Sequence, residues 1–267
     1  MSRWFATVIL LCWVSAVLLQ PLLQTTPNQI RLDAILASPS MEYWLGNDAL
    51  GRSVGERLLA GAEIALLVSV ATVMISALAG TLIGALSGYA GGMTDVVISR
   101  IIDIMLAFPG ILLAIALAAV LGPGIDNLVI AISVVGWVGY ARLARAQTLS
   151  LKQREHVSAA IALGSRQGRI LRRHIIPLML APLLVEASFG IAAVIVAEAG
   201  LSFLGLGVQP PQASWGSMIR EGADFLLVAP HLAIFPGIAI FLVVLSANLF
   251  GDWLRSRLDV RDEVARA

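Results

Sequence analysis

The sequence predicts an all-α, polytopic membrane protein with six transmembrane helices. Three observations carry that prediction. Of 267 residues, 58% are hydrophobic and only 13% charged, and the mean hydropathy of +0.89 lies far above that of a soluble domain. The apolar residues gather into six runs long enough to cross a hydrocarbon core at about 1.5 Å per residue. The basic residues between those runs fall on alternate sides, as retention of Lys and Arg at the inner face requires. The single cysteine, Cys12, lies in the first run, so no internal disulfide can form and its expected role is packing.

The first run, Trp4–Leu23, follows Arg3. It lacks an A-x-A cleavage site and is long for a signal peptide, so a retained anchor is expected. A polar stretch over 24–61 comes next, punctuated by Pro27, Pro39 and Gly46, with a short surface helix expected over 53–62. The second span, 62–88, carries Gly80, Gly84 and Gly88 on one helical face, where another backbone can approach closely. That face suits packing within this chain or contact with a second membrane subunit.

The third span, 104–121, opens beside Arg100 and Asp103. These i,i+3 neighbours are expected to pair at the inner boundary, and Pro109 is expected to bend the helix or end its first segment. A Gly-Pro-Gly turn leads into the fourth span, 125–141. The fifth, 175–199, holds Glu186 near mid-depth and Glu198 near its outer end. A carboxylate in hydrocarbon costs a few kcal/mol, so both should face protein or water. Glu198 is expected to bond to the following loop, and Glu186 is the better candidate for lining a translocation path, against a buried, protonated or helix-paired role. Within the Gly- and Pro-rich loop 201–229, Trp215 is expected to anchor at the interface. The sixth span, 230–250, contains Pro236, which suggests a kink. The expected organisation is an anchor and outer segment (1–61), a transmembrane domain (62–253) with an inner loop at about 150–175, and a tail (254–267).

With the N-terminus inside, inner segments hold Arg3, Arg100, the eight basic residues from Arg142 to Arg173, and Arg255, Arg257, Arg261 and Arg266, fourteen of eighteen. Outer segments keep Arg31, Arg52, Arg57 and Arg220. Both termini are therefore expected in the cytoplasm. No phosphate-binding G-x-x-x-x-G-K-[ST] loop occurs, so the chain is not expected to bind ATP, and no H-E-x-x-H or Cys/His cluster offers metal-ligand spacing. His156, His174 and His231 are scattered. A basic run can signal nucleic acid, but here it is flanked by spans, and anionic lipid or a protein partner is the simpler reading.

One segment interrupts the apolar pattern: HVSAAIALGSRQGRILRRHIIPL, residues 156–178. Residues 157–163 form helix readily, Ala159 and Ala160 present almost no side chain, and Gly164 supplies a stop. Arg166, Arg169, Arg172 and Arg173 follow, three of them on a stripe, in an element expected to lie along the inner membrane face rather than cross it. An amphipathic helix on anionic lipid explains the arginines but not the alanine pair and its glycine.

At these residues the chain resembles the membrane subunits of bacterial ATP-driven importers, whose inner loop reads E-A-A, three residues, G, nine residues, I-x-L-P. Ala159 and Ala160 are the alanine pair, Gly164 the glycine, and His174-Ile-Ile-Pro177 the close, with Ser158 for the glutamate and His174 for the isoleucine. Gly46-Asn-Asp-Ala-Leu-Gly-Arg52, Arg142, Arg145, Leu151-Lys-Gln-Arg-Glu155, Arg173 to Pro177, and Glu198-Ala-Gly-Leu-Ser-Phe-Leu-Gly-Leu-Gly207 with Trp215-Gly216 are similar to the dipeptide, oligopeptide and nickel importer permeases, and to the second permease of the pair.

The resemblance implies a type I ABC importer permease in the bacterial inner membrane. It implies a homologous permease partner, two ATPase subunits that hold ATP and Mg, and a periplasmic or lipid-anchored solute-binding protein. Val157, Ala159, Ala160, Leu163, Gly164 and Arg166 are the implied ATPase-coupling residues. The loop 201–207 and Gln209-Pro-Pro211 tilt the substrate towards peptides over nickel. A secondary transporter, the rival of another class, needs a coupling-ion site and usually an internal repeat. Glu186 stands alone and no repeat is visible. A membrane-embedded enzyme lacks paired catalytic groups.

Overall fold

The computed structural model describes residues 2–264, with side chains described over 4–258. The side chains of Arg3 and Arg261, and Arg266 altogether, lie outside that range. The helices are α1 (Ser2–Leu19), α2 (Val54–Ala90), α3 (Gly92–Ala107), α4 (Gly110–Leu121), α5 (Ile125–Leu151), α6 (Glu155–Ala162), α7 (Gln167–Ile170), α8 (Ile176–Phe203), α9 (Trp215–Ala223) and α10 (His231–Val264). Five helical stretches are long and apolar enough to cross a membrane. A sixth span is counted if α3 and α4 are taken together, though they meet at 89°. The break falls at Phe108 and Pro109. Proline disfavours helical backbone in the residue before it, and Phe108 is extended at φ −94° and ψ 139°.

Two expected boundaries move. Residues 53–62 are not a separate surface helix: the chain enters α2 at Val54 and continues to Ala90 without a break. Nothing in 54–62 stops a helix, and Glu56 in the first turn complements the helix dipole. Pro236 lies within the unbroken α10. The tail is helix as far as Val264, and its last three residues lie outside the described range.

The chain divides into two compact units. The first comprises Met1–Ala71, Ile115–Ala131 and Ile191–Phe250, the second Thr72–Ala114, Ile132–Gly190 and Gly251–Ala267.

In the first unit the core gathers Trp13, Val54, Ala65, Ile195, Trp215 and Leu232 among its buried residues. Trp13 and Trp215 rings lie 6.3 Å apart. Their indole N–H groups donate to α2 carbonyls, Trp13 to Ala62 at 3.2 Å and Trp215 to Leu58 at 3.0 Å. An indole buried in this way meets both its apolar and its polar requirement. Trp215 is only 2% exposed, so it is a core residue and not an interfacial anchor. The sequence Ser214-Trp-Gly-Ser217 explains its position: the Ser214 hydroxyl accepts from the Ser217 N–H, the Ser217 hydroxyl accepts from the Ser214 N–H, and this reciprocal cap starts α9.

In the second unit α2 packs on α5 through the three glycines. A Cβ on Gly80 would strike the Trp137 carbonyl, one on Gly84 the Ala141 backbone, and one on Gly88 would lie 2.8 Å from the Arg145 carbonyl. This face is filled by the chain's own α5, so it is not available to a second permease. Ile102, Val138 and Ala141 form a small core beside it.

Candidate functional site

The interrupting segment forms a compact knuckle within the second unit. From Glu155 to Ala162 the chain is helical, with Arg154 extended at the N-cap. Gly164 has φ +74°, a left-handed conformation that a side chain would strain. The Ser165 N–H reaches the Ala160 carbonyl at 3.1 Å and the Gly164 N–H the Ile161 carbonyl at 2.9 Å. Those two bonds are the glycine-centred closure that satisfies the last carbonyls of a helix.

The side chains of α6 divide sharply. Val157 and Ala160 are buried, while Ala159, Ile161 and Gly164 are exposed and Leu163 is 86% exposed. Arg166 is exposed at the N-cap of α7. A short helix is thus held by one side and offers small and apolar groups on the other. Burial of Leu163 alone would contribute about 2 kcal/mol to an association.

The arginines do not form a separate surface element. From Gln167 the helix runs through a wide turn at Leu171–Ile175 into α8, giving one helical stretch Gln167–Phe203. The Ile176 N–H bonds to the Leu171 carbonyl, five residues back. Pro177 follows directly, with no N–H to donate and a ring that crowds the preceding turn, and the wider turn relieves that crowding. Arg169, Arg172 and Arg173 are exposed on the foot of this helix, with Ile170 and Ile175 buried beneath. His156 and His174 rings approach to 6.3 Å.

Immediately before α6, a polar clamp ties α5 to α2 and α3. Arg145 binds Asp95 through Nε at 2.5 Å and Nη2 at 2.7 Å. The Ser87 hydroxyl donates to the same carboxylate at 2.6 Å, and the Lys152 ammonium donates to the Gly88 carbonyl at 3.0 Å near the end of α2. Sequence spacing points to Arg100 and Asp103 as the boundary pair and does not single out Asp95. The structure corrects this. Arg100 and Asp103 are exposed and form no ion pair within 4.0 Å among the described residues; solvent satisfies both, and the α3 carboxylate that is paired is Asp95, bound to the α5 arginine in bidentate geometry. An acidic residue at a helix start and an arginine in an otherwise apolar span were the signals that could have found it.

Glu186 is half-buried on α8 and makes no hydrogen bond or ion pair among the described residues; Gly139 lies opposite, its Cβ position 3.2 Å from Oε1. Glu198 is 1% exposed. Its Oε1 accepts from the Ser202 hydroxyl at 2.7 Å, which in turn accepts from the Val208 N–H at 3.2 Å. The expected bond to the following loop therefore runs through Ser202.

The first unit holds a second ionic cluster. Arg52 binds Asp48 at 2.6 Å and Glu221 at 2.9 Å, and Arg57 binds Glu221 at 2.9 Å and Asp48 at 3.4 Å. The loop that presents Asp48 and Arg52 turns tightly at Gly51, where a Cβ would collide with the Arg31 carbonyl.

Residues 80–261 match the profile of the binding-protein-dependent transport system inner membrane components. The chain is 44% identical over 232 residues to the glutathione transport system permease protein GsiD of Pectobacterium atrosepticum, covering 87% of this chain and 77% of that one. It is 45% identical over 224 residues to the dipeptide transport system permease protein DppC of Alkalihalophilus pseudofirmus, covering 84% and 74%. Among solved structures it is similar to the methionine ABC transporter MetNI in inward-facing form, with a TM-score of 0.62 and 16% identity over 74% of this chain and 95% of that one. That likeness speaks for the fold alone. The multi-pass helical architecture, the knuckle after α5 and these relationships converge: the chain belongs to the binding-protein-dependent transport system inner membrane components, the permease subunits of ABC importers, in which ATP hydrolysis is carried by separate subunits.

Proposed function

We propose that this permease moves short peptides, dipeptides or a tripeptide such as glutathione, inward across the bacterial inner membrane. It pairs with a homologous permease as the second of the two, and each permease seats its knuckle helix on one of two ATPase subunits. The relatives named for dipeptide and glutathione transport support the substrate class. Both termini and the 150–175 loop are cytoplasmic in this reading, supported by the fourteen basic residues on one side. ATP and Mg belong to the ATPases, and this chain holds no cofactor. A periplasmic or lipid-anchored binding protein delivers solute to the outer loops.

The observation that carries the coupling role is the split face of α6, with Val157 and Ala160 inside and Ala159 and Leu163 outside. Closure of the ATPases on ATP draws the docked helix with them. The Arg145–Asp95 clamp and the glycine contacts of α2 on α5 pass that displacement into the spans as movement of a packed group rather than as bending of one helix. Ala159→Glu and Gly164→Leu should leave the chain in the membrane and reduce uptake of a labelled dipeptide at least tenfold, with ATP turnover no longer responsive to the binding protein. Normal uptake in both variants refutes the coupling role.

A further inference from the structure

We propose that the first unit carries a receptor site for a short zwitterion, an ammonium and a carboxylate on one small molecule such as a dipeptide, in the cavity above its ionic cluster. The proposal rests on the peptide-transport reading and adds a site to it. The cavity has a volume of about 340 Å³, within the range of small-molecule pockets. Three segments build it: 48–57, the turn at Pro210, and α9 with the residues after it as far as Leu232. Every lining residue belongs to the first unit.

Its chemistry is mixed in sign. Three guanidinium groups line it, Arg52, Arg57 and Arg220, against three carboxylates, Asp48, Glu221 and Asp224. A pocket balanced in this way rejects an ion of either sign and suits a neutral molecule that carries both. The cluster is also incompletely satisfied. Arg57 is 1% exposed, and its Nη1 has no hydrogen-bond partner among the described residues although its other nitrogens engage Asp48 and Glu221.

Glu221 supplies the complementary opening. It uses Oε2 for both arginines, leaving Oε1 without a partner among the described residues, and its side chain is 29% exposed. The exposed Arg220 guanidinium and this open acceptor, both on the cavity wall, match a carboxylate and an ammonium. Leu50, Met218 and Phe225 give the cavity apolar wall for the side chains between the termini.

The test uses the complete transporter, both permeases with the ATPases, in nanodiscs without the binding protein, and equilibrium binding of radiolabelled alanyl-phenylalanine. Saturable binding is expected, with N-acetylated and C-amidated forms at least tenfold weaker as competitors. Leu50→Trp, which fills the cavity from its edge, and Arg220→Gln at the rim should each weaken binding at least tenfold in complexes that remain assembled by size-exclusion chromatography. Absence of saturable binding overturns the site, as does binding indifferent to both blocked termini or unchanged in both variants. Dipeptide uptake by cells with the complete system tests the parent reading separately: uptake without this binding sinks the site alone.

Discussion

The two ionic clusters of this permease are built from the same chemistry and are held differently. In the first unit Arg52 and Arg57 are bound by Asp48 and Glu221, and the Arg57 side chain is 1% exposed. In the second, the Arg145 side chain is 32% exposed and that of its partner Asp95 19%. A buried charge that loses its partner cannot fall back on water, whereas a partly solvated one can. The first cluster therefore pins a loop, a helix start and α9 in one arrangement. The second holds the helices ahead of the knuckle together by a contact that depends less on its partner for solvation, so its loss costs less stability.

Changes at these places break or sharpen that contrast. The largest effect is expected from Arg57→Met, which leaves the buried carboxylate of Asp48 and that of Glu221 short of a cation and should destabilise the protein by about 3–5 kcal/mol. A lower unfolding temperature in detergent and a reduced yield in membranes would show it. Gly84→Leu comes next. Its side chain must displace the α5 backbone at Ala141, at a cost of about 1–3 kcal/mol, again read by thermal unfolding. Asp95→Asn should cost only about 1 kcal/mol in stability yet lower uptake several-fold, and a double-mutant cycle with Arg145→Gln should show the two losses to be coupled. If Asp95→Asn destabilises as much as Arg57→Met, the contrast between a pinned and a yielding cluster is wrong. Ser214→Ala removes one half of the reciprocal cap of α9 and should cost about 1 kcal/mol, with uptake unchanged; hydrogen exchange over 215–223 reads it.

The spans were legible because apolar length and punctuation are local properties. Trp4–Leu23, the break at Pro109 and the stop at Gly164 all follow from nearby residues. The Gly80, Gly84 and Gly88 face was legible as a close contact, but its partner was not, since periodicity does not say which helix approaches. Trp215 and Asp95 show the same limit. Trp215 lies in a Gly- and Pro-rich loop that resembles an interface, and only the reciprocal Ser214 and Ser217 cap, with Gly61 opposite, brings it into the core. Asp95 meets Arg145 across fifty residues of chain, while Arg100 and Asp103 satisfied the helical spacing rule and do not pair. Local rules rank neighbours along one helix and are silent on partners from another. The knuckle was the part of the site most readable in advance, because a helix of small residues closed by a left-handed glycine needs no distant partner to form.

That knuckle also carries the central claim, that α6 is the surface through which ATPase motion enters the spans. Its most direct test places a benzophenone amino acid at Ala159, on the exposed face, and at Val157, on the buried one, in the complete transporter. Cross-linking to an ATPase subunit from position 159, strengthened by a non-hydrolysable ATP analogue and absent from position 157, is the predicted result. Capture of the binding protein, or of lipid alone, from position 159 would contradict it.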